Sequence, residues 1–79
     1  MRFDVALFEL RLVKSRSQAA AAIQSGVARL NGAVCKPSHA VRAGDRITLA
    51  GRTLEVVGLP ARSLSREQAK ELVREVPAG

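Results

Sequence analysis

The feature that most restricts the fold of this chain is VARL-NG-AVC at residues 27–35, where a turn dipeptide divides two short strand-forming runs. Asn31-Gly32 supplies two consecutive residues tolerant of positive φ. They suit a type I′ turn, whose twist matches that of the strands it joins, so the spacing predicts a hairpin. Downstream, RAGDRITLAGRTLEVVG at residues 42–58 continues the punctuation. It gives a turn at Gly44-Asp45, a strand over 46–49, a turn at Ala50-Gly51 and a strand over 53–57. The middle of the chain therefore reads as a small mixed or antiparallel sheet.

Helices are expected on either side. A first helix is predicted after Asp4 as N-cap, sending Val5, Leu7, Phe8 and Leu12 toward a core and ending near Val13. A second begins at Ser15, with Gln18 three residues later in the capping-box arrangement, and stops at Gly26, which suits a left-handed C-cap. Its small apolar stripe, Ala19, Ala20 and Ile23, permits close packing on the first helix. Ser65 with Gln68 repeats the capping box, and Ala69, Leu72, Val73 and Val76 recur at helical spacing until Pro77, which predicts a third helix. The expected class is α+β: two packed N-terminal helices against a small sheet of four to five short strands, plus a C-terminal helix. Seventy-nine residues suffice for one small domain, near the lower limit for a core without disulfides or metal. The expected division is a hairpin-extended domain over 1–58, then a linker and helix over 59–79.

Cys35 is the single cysteine and can form no internal disulfide, which fits a reducing compartment. The N-terminus carries Asp4 and Glu9 without a long apolar run, so neither a signal peptide nor a membrane span is expected. The expected location is the cytoplasm.

A formal charge of +6 and a pI near 11.1 call for a polyanionic partner, nucleic acid before membrane. The charge is uneven: residues 1–49 carry eight cations against three acids, and residues 50–79 five against four. The tail is accordingly expected to stabilise the fold rather than to bind. Within the basic part, Lys14 and Arg16 flank Ser15 at a helix start, where the macrodipole disfavours cations by roughly 0.3 to 1 kcal/mol. Solvated side chains, or pairs with Glu9 or Asp4, explain this as well as an anion does. A phosphate placed there would meet first-turn amides, the Ser15 hydroxyl and both cations together.

The ordered set Arg2-Phe3-Asp4, Leu7, Lys14-Ser15-Arg16, Ala19, Ile23, Gly26, Asn31-Gly32, Lys36-Pro37-Ser38, Val41, Gly44-Asp45 and Ile47 resembles the RNA-binding domain named for small-subunit ribosomal protein four, the S4 domain. The chain is also similar to the short stand-alone heat-shock-protein-fifteen and ribosome quality-control group, with only a strand pair and a helix after the domain. The resemblance implies an alpha-L RNA-binding fold with RNA held by the second helix and the adjoining hairpin. It places Arg2, Lys14, Ser15, Arg16, Asn31 and Lys36 on the RNA face, with Asp4 ordering that face by capping the first helix. It further implies structured RNA (rRNA, tRNA) and the large ribosomal subunit as partners, in rescue or quality control of stalled nascent chains. A ribosome-assembly factor, or a protein-interaction module using the third helix, are the alternatives. The chain is expected to be a monomer when free. Val5 and Val27 depart from the family, which often has basic residues there; Arg29, two residues along the strand from Val27, is a candidate to restore one charge.

Other chemistry finds little footing. Cys35 and His39 are four apart, yet structural zinc takes four ligands and nothing else completes the set. Ser38-His39 lacks an orienting acid, so no catalytic residues, cofactor or metal are assigned. Phe3 and Phe8 are the only aromatics, and both suit a core, so bases have no stacking platform. Recognition is expected to rest on phosphate and shape.

Overall fold

The computed structural model describes residues 1–60 and 65–77. In chain order it contains α1 (Phe3–Glu9), α2 (Arg16–Gln24), β1 (Ala28–Leu30), β2 (Arg46–Leu49), β3 (Arg52–Val56), α3 (Arg66–Lys70) and β4 (Val73–Val76). The strands lie in the order β1-β2-β3-β4, every neighbouring pair antiparallel. The class is α+β, as the sequence implies, and the mixed alternative drops out.

The helix α1 starts one residue before Asp4, and Asp4 is not its cap. The N-cap position is Arg2, and no side chain caps it. The open amides are instead met by the loop that follows β1: Phe3 N donates to the His39 carbonyl at 2.8 Å and Asp4 N to the Pro37 carbonyl at 3.1 Å. Carbonyls from a distant loop do what a local side chain does elsewhere, which is why the sequence signal misplaced the cap. With this start, Phe3, Ala6, Leu7 and Leu10 face inward and are buried, while Val5 and Phe8 are only half-buried. The helix closes at Leu10, and Arg11 takes a left-handed φ of 62°. Arg11 N donates to Phe8 O and Leu12 N to Leu7 O, the paired bonds of a Schellman motif built without glycine.

The second helix follows its signals closely. Ser15 is the N-cap and its Oγ accepts from Gln18 N at 3.1 Å; the Gln18 side chain reaches back to Lys14 N at 3.0 Å, one residue beyond the usual target. Gly26, at φ 83°, turns the chain out of the helix. Ala19 and Ile23 are fully buried against the α1 residues and join Ala28, Leu30, Val41, Ile47 and Val56 in one core.

Two further expectations need correction. Asn31 and Gly32 do form the predicted turn, with φ of 52° and 80°, but residues 33–35 make no strand: Ala33 bridges Leu30 and the ladder ends. The ladder partner of β1 is β2. The chain after Ala33 leaves because residues 37 and 39 are needed at the start of α1, and Pro37 has no N–H with which to continue a ladder. The third helix, capped by Ser65 and Gln68 as expected, lasts only five residues, and Val73 to Val76 form an edge strand on β3. The Leu72 carbonyl accepts from Val57 N at 2.7 Å, drawing the chain out of the helix and onto the sheet. Arg74 pairs with Glu55 directly across the strands, and Arg52 donates to Glu75. A short helix is weakly self-supporting, whereas Val73 and Val76 suit a strand and satisfy the open edge of β3.

Candidate nucleic-acid interface

The residues assigned to the RNA face divide into those whose polar groups are free and those already engaged. At the start of α2, Lys14 and Arg16 are exposed. Among the described residues neither makes an ion pair with a carboxylate, so the alternative pairs with Asp4 or Glu9 are not formed. The Arg16 guanidinium instead lies over the Phe8 ring, 5.9 Å from its centroid. This contact ties the first turn of α2 to α1 and holds the side chain of Arg16 in place while leaving its edge donors open. Ser15 Oγ accepts from Gln18 N and retains its own hydrogen to donate.

Arg2 is also exposed, but its Nε and Nη2 donate to the two carboxylate oxygens of Asp4 at 3.1 and 3.0 Å. The Asp4 Oδ1 accepts from Val5 N as well. Asp4 therefore holds Arg2 in a bidentate grip and does not cap the helix. On the sheet side, Arg29 Nε donates to the Gly26 carbonyl at 3.2 Å, fastening β1 to the end of α2. Lys36 is exposed and its ammonium has no partner among the described residues.

Asn31 is used internally. Its Oδ1 accepts from Arg46 N at 2.9 Å and its Nδ2 donates to Asp45 Oδ1 at 3.2 Å, while Asp45 Oδ2 accepts from Arg42 N at 2.9 Å. One asparagine and one aspartate thus lock two turns to each other across fourteen residues of sequence. The consequence is a cationic pair, Arg42 and Arg46, set beside the Asn31-Gly32 turn, both exposed and without an ion pair among the described residues. Neither arginine is among the residues that the sequence resemblance implies for an RNA face. The Gly44-Asp45 turn was legible, but nothing local says that it docks on Asn31. The Asp45 carboxylate accepts only from neutral amide and backbone donors, so it keeps its charge and offsets part of the field of this pair.

Burial raises the pKa of the Cys35 thiol above its ordinary value of 9.0, so at neutral pH it stays protonated. Among the described residues no three of His, Cys, Asp or Glu come together, and no helix is long and apolar enough to cross a membrane.

A family model described as the S4 domain matches residues 1–47, the segment that runs from Arg2 through both helices to β2. The chain belongs to the S4 domain family. Its fold is similar to the trimeric structure of Vibrio cholerae Heat Shock Protein 15, with a TM-score of 0.90 and 30% identity, covering 96% of this chain and 81% of that one. No curated protein matches the sequence significantly. The S4 match ends inside the sheet, so β3 and β4 complete the ladder beyond it, and the likeness to Heat Shock Protein 15 extends across nearly all of this added part.

Proposed function

We propose that this protein binds structured RNA without catalysing a reaction, through the surface formed by the start of α2 and the Asn31-Gly32 turn. The observation that carries this reading is the pairing of Lys14 and Arg16 around the Ser15 cap, unneutralised by any described carboxylate, with Arg16 held over Phe8. Such an end offers a phosphate a positive dipole, hydrogen-bond donors and two charges at once. Lys36, Arg42 and Arg46 extend the field on either side, Arg2 is offset by its pair with Asp4, and Asn31 shapes the turn. With no exposed aromatic platform, the contacts fall on phosphate and helical shape.

The partners we assign are ribosomal RNA and tRNA on the large ribosomal subunit, in the cytoplasm, with the domain steadying a stalled peptidyl-tRNA. The support is the likeness to the short stand-alone members of the family, which share the compact tail, together with the membership itself. Filter binding with wild-type protein tests the general reading. Affinity is expected to be higher for a folded ribosomal RNA fragment than for an unstructured strand of equal length, and to fall linearly on a log–log salt plot. Equal binding to every polyanion would refute it. Co-sedimentation with large subunits, with and without bound tRNA, tests the address.

A further inference from the structure

Beyond the α2 surface, the molecule carries a second cationic feature made by parts of the chain that the sequence keeps far apart. Two clefts of about 330 and 320 Å³ share Arg11, Leu12 and Arg66, and so form one groove. Its apolar floor includes Phe8, Leu54 and Val73, and its rim holds Lys14, Arg66, Lys70 and Arg52. Among the described residues no carboxylate lines either cleft. Glu67 and Glu71 sit on or beside α3 but outside the lining, and Glu75 offsets Arg52 through their ion pair. Arg11, which already has an interaction partner, is not counted toward the free charge. Arg66 and Lys70 are exposed and have no ion-pair partner among the described residues.

We propose that this groove is a second phosphate-backbone site, through which the α3 segment extends the RNA track from the start of α2 toward the β3–β4 edge. The inference rests on the RNA-binding reading above. Continuity carries it: Lys14, next to the Ser15 cap, lines the groove, and so does Phe8, the ring beneath Arg16. A backbone seated on Arg16 is therefore already at the mouth of the groove. The tail, nearly neutral when charge is counted along the chain, presents cations on the side that faces Lys14 and holds its unpaired acids off it. Spacing of i and i+4 on α3 puts Arg66 and Lys70 on one face.

The test compares wild type, Arg16→Ala and the double variant Arg66→Gln/Lys70→Gln, using a folded ribosomal RNA fragment across a salt series. Glutamine keeps helix propensity and the side-chain stem, and the melting temperature checks that the fold survives. The double variant is expected to bind about tenfold or more weakly. Its salt slope should shrink by about 1.4 to 1.8, two phosphate contacts' worth, with the melting temperature held. Arg66→Lys should keep the slope. If wild type binds, Arg16→Ala is weak and the double variant matches wild type, the groove is not part of the track and the inference fails alone. If the double variant instead loses only binding to an acidic peptide, the groove serves a protein partner and the inference is likewise overturned. Failure of wild type to bind folded RNA removes both readings.

Discussion

Arg16→Ala separates a binding role from a folding role, because the structure fixes both sides of the comparison. In the free protein the substitution removes a cation from a helix start, a relief of about 0.3 to 1 kcal/mol. It also removes the stack on Phe8, which at an exposed site contributes about 0.5 to 1 kcal/mol, toward the low end here because the guanidinium is 5.9 Å from the ring centroid. The two nearly cancel, leaving stability within about 0.5 kcal/mol, or a melting shift of less than about 4 °C for a domain this small. Binding has no such compensation. Charge-assisted hydrogen bonds to a phosphate are worth about 1.5 to 3 kcal/mol, so affinity should fall about 10- to 150-fold and the salt slope by about 0.7 to 0.9. Arg16→Lys retains the charge but neither the two-pronged donor geometry nor the flat stack, so it should keep the slope and still lose affinity. The assay is filter binding over a salt series, paired with thermal melting of each variant. Unchanged affinity with a clearly lower melting temperature would refute the reasoning, since Arg16 would then serve the fold through Phe8 alone.

Asn31→Ala should lower stability by about 1 to 3 kcal/mol, combining a left-handed alanine with the loss of the bonds to Arg46 N and Asp45; Asn31→Gly should recover the backbone share, and equal melting of all three proteins would contradict the locked-turn account. Ala50, at φ 51° in the two-residue loop between β2 and β3, is poorly suited to that conformation, so Ala50→Asn should raise the melting temperature by several degrees, and a decrease would mean the loop is not a type I′ turn. The thiol of Cys35 should alkylate at pH 8 more slowly than the same thiol in denaturant, because burial raises its pKa. The sign for stability follows: a raised folded pKa leaves the contribution intact below the unfolded value and removes it as pH rises past the folded one, so a Cys35→Ala variant should lose less stability than wild type above about pH 9.

What the sequence determined by itself is what neighbouring residues decide. The Ser15–Gln18 cap, the left-handed exit at Gly26, the Asn31-Gly32 and Ala50-Gly51 turns and the β2–β3 hairpin all depend on interactions within a few positions, and each was legible. So was the exposed cation pair at Lys14 and Arg16, whose ordered surroundings carry the S4 likeness. Tertiary structure decided whatever required a distant partner. The start of α1 is set by carbonyls of Pro37 and His39, so Asp4 was free to grip Arg2 and the apolar face began at Phe3. Val73 and Val76 stand three apart, a helical spacing that puts them on opposite faces of a strand, and only the open edge of β3 selects the strand. The sets Asn31–Asp45–Arg42 and Lys14–Arg66–Lys70 are spread over 15 and 57 positions of the chain. Their juxtaposition follows from how the turns and the tail pack, because charge acts through space while a local reading counts it along the backbone.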